Sequence, residues 1–149
     1  MPKYSIDGQD TNTASTTILG VDAGTTARRI KVYDLLMGSD ATPADNAAEY
    51  NLQRYTVDGT STAVTPVALD PADPAALAEA GEAHSVEPTY TANAVLLNWS
   101  QNQRATFRWV AAPGSEMVIP ATTDSGVGIL SVTVAGSAVN MTATILFEE

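Results

Sequence analysis

Few side chains here could do covalent or metal chemistry, and their spacing limits them further. The 149 residues include one histidine, His84, and no cysteine. Disulfides, thiolate zinc sites and cysteine nucleophiles are therefore excluded, and a histidine-rich metal centre cannot be built. The turn Asp22-Ala-Gly-Thr25 lies between two apolar runs and has residue types that could hold phosphate and a hydrated metal. Glycine lets the backbone approach phosphate, and aspartate orients the metal's water shell. Ser125, in Thr123-Asp-Ser-Gly-Val-Gly128, is a candidate nucleophile. A serine needs a base and an acid that orients the base. His84 is the only histidine, and Asp124, which adjoins the serine, is the sole aspartate between them. The acids Asp7 and Asp10, Asp70 and Asp73, and Glu79 and Glu82 do not follow calcium-loop spacing. A glycosidase carboxylate pair is left open by spacing alone.

The stretch Ile18-Leu-Gly-Val-Asp-Ala-Gly-Thr-Thr26, followed by Ile30-Lys-Val-Tyr-Asp34, resembles the first phosphate-binding hairpin of the sugar-kinase and actin superfamily. Proteins of that kind need two large domains and further phosphate motifs. This chain is too short for a nucleotide cleft, has no second motif, and carries Arg28-Arg29 as an insertion in the pattern. The segment around Ser125 is similar to the nucleophile loop of trypsin-like proteases, but the triad order fails and a turn before a strand is expected. His84 follows the polar Glu82-Ala83 and is expected in an exposed loop. No enzyme activity and no cofactor are expected.

Charge narrows the partners. Seven Lys and Arg against seventeen Asp and Glu leave a net charge of −10, with an isoelectric point near 4.2. A net anion is repelled by a phosphate backbone, so nucleic acid is not an expected partner. The apolar runs are short, such as Ala94-Val-Leu-Leu97, far below the roughly 20 residues that span a bilayer. No membrane partner is expected. The first residues, Met1-Pro-Lys-Tyr-Ser-Ile, lack the apolar stretch of a secretory signal. Synthesis in a cytoplasm is expected.

These residues must be positioned by strands. Charged residues make up 16% of the chain and aromatics 6%; Thr and Val favour pleated surfaces. Strands are expected at 16–19, 28–37, 48–57, 62–69, 86–90, 94–99, 104–112, 116–119, 128–135 and 140–147. In the second, Ile30, Val32 and Leu36 share one face; Lys31, Tyr33 and Leu35 share the other. Asp58-Gly59 is a turn signal. Pro66 marks an edge or a bulge within 62–69. Asp73 as cap, Pro74 in the first turn and Gly81 as stop predict one short helix near 74–80. In the last two strands Leu130, Val132 and Val134, and Met141, Ala143, Ile145 and Phe147, would point inward, joined by a hairpin turn at Gly136-Ser-Ala138. Residues 1–16 read as an extended N-terminal arm, and 17–149 as one domain. These ten candidates, taken as about eight to nine strands at this spacing, predict an all-β fold, a single small β-sandwich.

The basic residues other than Lys3 fall in expected strands: Arg28, Arg29, Lys31, Arg54, Arg104 and Arg108. Alternation places Phe107, Trp109 and Ala111 on one face, and Arg104, Thr106 and Arg108 on the other. Arginine is enriched at interfaces, so this outward row is a candidate contact surface; pairing with strand acids is the alternative.

The chain as a whole resembles the capsid decoration, or cement, proteins of tailed bacteriophages. The resemblance is carried by Tyr4-Ser-Ile-Asp-Gly-Gln-Asp-Thr-Asn-Thr-Ala-Ser-Thr-Thr-Ile-Leu-Gly20, Tyr50-Asn-Leu-Gln-Arg-Tyr-Thr56, Asn102-Gln-Arg-Ala-Thr-Phe-Arg-Trp-Val-Ala-Ala-Pro-Gly-Ser-Glu116 and Ile145-Leu-Phe-Glu-Glu149. It implies a jelly-roll-like sandwich, a homotrimer, the major capsid protein as partner and the capsid outer surface as location. It implies no catalytic residue. On that reading the arm residues Tyr4 and Ile6, with Arg28, Arg29, Arg54, Arg104 and Arg108, contact partners. The alternative is a carbohydrate- or receptor-binding module of a virion, which needs Trp99, Trp109, Tyr50, Tyr55 and Tyr90 exposed together for stacking.

Overall fold

Extended backbone dominates, as the Thr and Val content demands. The computed structural model describes residues 1–149 and contains twelve strands and no helix. They are β1 (Lys3–Thr11), β2 (Thr17–Asp22), β3 (Ile30–Ser39), β4 (Ala47–Tyr55), β5 (Thr60–Ala63), β6 (Val67–Ala68), β7 (Glu79–Val86), β8 (Tyr90–Asn102), β9 (Phe107–Val110), β10 (Met117–Ile119), β11 (Gly126–Val134) and β12 (Asn140–Glu148). Two six-stranded sheets result. The first runs β10-β3-β12-β1-β6, with β9 also paired to β3; the second runs β5-β7-β2-β11-β4-β8. All pairings are antiparallel. Side chains from both sheets, such as Ile6, Ile145 and Phe147 against Ile18, Leu52 and Ile129, join in one buried cluster. The fold is thus an all-β sandwich with one core.

The N-terminal arm is not an arm. Residues Lys3–Thr11 form β1, paired along its length with Asn140–Glu148 and at one end with Val67 and Ala68. Tyr4 and Ile6 are 1% and 0% exposed. The reason lies in their alternation, which points both at the core once β12 supplies the ladder. They are core residues of this chain, not contacts to a neighbour.

The helix near 74–80 is also absent. A two-turn helix is too short to hold itself, because nucleation outweighs so few bonds. Other bonds claim the same backbone. Tyr4 Oη donates to the Pro74 carbonyl at 3.0 Å, and the amides of Leu77 and Ala78 donate to the Glu149 carboxylate at 2.7 and 2.9 Å. Glu79 onward is strand β7.

Pro66 marks edges, as expected, but of two different sheets. It separates β5, an edge of the second sheet, from β6, an edge of the first. The turn at Gly136 likewise crosses between sheets rather than closing a hairpin. β11 pairs with β2 and β4, whereas β12 pairs with β1 and β3. Gly136 has φ +78, a left-handed conformation that glycine adopts freely.

Bulges shift two predicted faces. β12 skips Tyr33 between Leu146 and Phe147. The inward residues of β3 therefore change from Ile30 and Val32 to Leu35 and Met37, not Leu36. On β11, Val127, Ile129 and Ser131 are buried, while Leu130 and Val132 are not; a register shift follows Ser131. β12 alternates as read: Met141, Ala143, Ile145 and Phe147 are all buried.

Candidate functional site

The seven cations divide sharply once folded. Arg108 forms a two-pronged pair with Asp34, its Nε and Nη2 donating at 3.1 and 2.6 Å. Lys31 Nζ bonds Glu148 at 3.2 Å, and Lys3 Nζ lies 5.4 Å from the Tyr33 ring centre. Arg54 reaches across the sandwich, from β4 to the Val118 carbonyl on β10, at 2.6 Å. Arg104 lies in the turn after β8 and donates to the Pro43 carbonyl at 3.4 Å. Arg28 and Arg29 remain, exposed in the loop between β2 and β3, with no hydrogen-bond, ion-pair or ring partner. The expected strand row of Arg104 and Arg108 is therefore tied within the chain. The free pair lies in a loop, because the strand expected from 28 begins only at Ile30.

The aromatics are largely internal. Tyr50 and Tyr55 are 0% and 3% exposed, and Trp99 is 8% exposed. Trp99 stacks on Phe107 and on Tyr50, with centroids 4.5 and 5.7 Å apart. This stack joins β4 and β8 in one sheet to β9 in the other. Tyr55 and Tyr90 meet edge to face at 5.9 Å. Burial removes the shared stacking platform that a sugar-binding reading requires.

A polar groove of about 550 Å³ lies where β2, β5 and β7 meet. Asp22, Tyr55, Asp58, Glu79 and His84 line it, with the hydroxyls of Thr60, Ser61 and Thr65. Asp22, the aspartate of the phosphate-hairpin pattern, is 4% exposed and accepts a 3.3 Å bond from Tyr55 Oη. Burial, then repulsion by Asp58 and more weakly by Glu79 and Asp124, raises its carboxyl to about 7, against the lowering effect of the Tyr55 bond. Burial raises Tyr55 in turn, helped by the Asp22 charge. A carboxyl with a proton to exchange near neutral pH is a chemically distinctive group. It faces carboxylates and a phenol, not the cations or amides that would cradle phosphate. No group of three or more His, Asp or Glu side chains is arranged to hold a metal ion.

His84 lies on β7, half-buried, rather than in an exposed loop. Its Nδ1 is buried without a hydrogen-bond partner. Burial lowers its pKa, opposed by the charge of Glu87. Ser125 sits in the turn before β11, where its carbonyl accepts the Ala23 amide at 3.1 Å. Asp70 closes its own turn by accepting the Ala72 amide at 2.9 Å.

Sequence reading missed the carboxylates that fasten β7. Glu79 accepts the Thr25 amide at 3.1 Å, and Glu82 accepts the Gln9 amide at 2.5 Å. Glu87 accepts both the amide and hydroxyl of Thr17, at 3.0 and 2.5 Å. Their partners lie 54 to 73 residues away in the chain, beyond the reach of any spacing rule. Comparison with protein-family models, curated proteins and solved structures finds no match to this chain.

Proposed function

We propose that this chain is a non-enzymatic structural protein that binds the outside of an assembled phage capsid and cements neighbouring major capsid protein subunits. One observation carries the reading beyond the sequence resemblance. Arg28 and Arg29 are exposed, adjacent and unpartnered on a chain of net charge −10, while the other five cations are engaged internally. Guanidinium groups make planar two-pronged contacts to carboxylates and are favoured in protein interfaces. An acidic surface crossed by one free arginine pair is suited to one defined contact on a protein lattice. Strand order supports the jelly-roll-like description in part, since the chain changes sheet eight times, at β1 to β2, β2 to β3, β3 to β4, β5 to β6, β6 to β7, β8 to β9, β10 to β11 and β11 to β12.

A protein that binds only the assembled lattice stabilises it by mass action. A homo-oligomer, with the trimer as the working state, would add avidity. The test is co-sedimentation with empty expanded capsids, made from the major capsid protein of the same genome. The wild-type chain should pellet with capsids and raise their disruption temperature. Arg28→Glu with Arg29→Glu should reduce retention at least tenfold without unfolding the chain. A wild-type chain that stays in the supernatant at every concentration overturns the proposal.

A further inference from the structure

The most distinctive unexplained arrangement is the junction of β2 with β7. These strands share only three residue pairs: Gly20 with Gly81, Val21 with Ala80, and Asp22 with Glu79. The ladder therefore ends on two carboxyl groups set directly opposite one another. Like charges in that position repel. Beyond β7 lies only β5, whose own pairing with β7 is broken by a register shift between Thr60 and Thr62. So the whole β5–β7 flank joins its sheet through a short seam with an acidic end.

The charged groups that act on Asp22 are all acidic. Glu79 faces it from β7, Asp58 from the turn after β4, and Asp124 from the turn before β11. Tyr55 on β4 gives the one hydrogen bond. His84, the only basic group lining the groove, is held towards its neutral form by burial. No lysine or arginine lines it. A protonated Asp22 is compatible with this site, whereas an ionised one is a buried anion among three others without a counter-ion.

We infer that the β2–β7 seam is a pH-sensitive latch: closed while Asp22 keeps its proton, and loosened, together with β5, when Asp22 ionises. The loosening is local. No strand of the first sheet is laddered to β2 or β7, and β7 stays fastened farther along by Glu82 to Gln9 and by the following Glu87 to Thr17. The titration is centred on neutrality, since the Asp22 carboxyl reaches about 7. This inference does not depend on the capsid reading.

Amide hydrogen exchange on the full chain, read residue by residue by NMR between pH 5.5 and 8.5, tests it. Each rate is divided by its intrinsic rate at that pH. Protection at Ala80, Gly81 and Ala63 should fall at least tenfold across the range, while β1 and β12 amides keep theirs. The carbon resonance of the Asp22 carboxyl should titrate with the same midpoint. Asp22→Asn should hold the seam at its low-pH protection throughout. Should that variant fail to fold, Asp58→Asn serves instead, giving a smaller loss of protection and a lower Asp22 midpoint. Unchanged protection at the seam in wild type, or the same fall in Asp22→Asn, overturns the latch.

Discussion

Strands β12 and β7 are both internal to their sheets, yet they are held in opposite ways. β12 is laddered to β1 along its full length and to β3 over most of it. Every second side chain, from Met141 to Phe147, is buried in the core. β7 has short ladders on both sides and only Ala80 and Gly81 buried within it. What fastens it is a set of carboxylates taking backbone amides from distant segments. One strand is secured by long ladders and apolar burial, which are insensitive to pH. The other is secured by charge-assisted bonds, which respond to protonation.

The sharpest way to break the contrast is to attack β12. Phe147 is fully buried and stacks on Tyr4 with centroids 5.5 Å apart. Phe147→Ala should cost about 3–5 kcal/mol in denaturant unfolding, a loss no single change on β7 should equal.

The pH response comes next, and its sign follows from Asp22. Unfolded, this carboxyl titrates at about 3.8; folded, at about 7. Below about 4 both states are protonated and Asp22 costs nothing. Between those values only the unfolded state ionises, so stability falls as pH rises. Above about 7 the penalty is constant. With solvent reaching the groove mouth, the loss should be on the order of 2 kcal/mol, read from urea midpoints at a series of pH values. Asp22→Asn should flatten that part of the profile.

Glu87→Gln then isolates one fastening. It keeps one acceptor but removes the charge that strengthens the two Thr17 bonds, and should cost about 1–2 kcal/mol. The loss should appear at β7 amides in hydrogen exchange before it appears in β12. The smallest effect belongs to the loop outside both strands. Arg28→Ala with Arg29→Ala should change stability by less than about 0.5 kcal/mol, because both side chains are exposed and neither forms a hydrogen bond or ion pair within the chain. If it costs more, the pair is structural and not free for a partner.

How far the sequence reached can be judged along these same strands. Alternation identified β12 and its inward face. It placed Phe107 and Trp109 against the core and Thr106 and Arg108 away from it, as they stand. It failed at β1, whose polar Asp7, Gln9 and Asp10 disguised an alternation that still buries Tyr4 and Ile6. At 74–80 the capping signals were present, but tertiary bonds from Tyr4 and Glu149 outweighed a weak helical preference. Faces went wrong on β3 and β11 because a bulge adds one residue on one strand, and the sequence carries no mark of where. Of the residues proposed to meet a partner, only Arg28 and Arg29 are left free. Arg54, Arg104 and Arg108 found acceptors inside the chain, which depends on the fold.

By itself the sequence determined composition-level and local properties. It excluded thiol chemistry and a histidine metal cluster, set the charge, and fixed an all-β fold through β-branched content and period-two alternation. Those are properties of residue types and near neighbours. Only the tertiary structure decided which sheet each strand joined, that the chain start lies in the core, which cations are free, and that Asp22 sits among three carboxylates. These depend on contacts between segments tens of residues apart, whose pairing is chosen by total burial and hydrogen-bond satisfaction rather than by any local pattern.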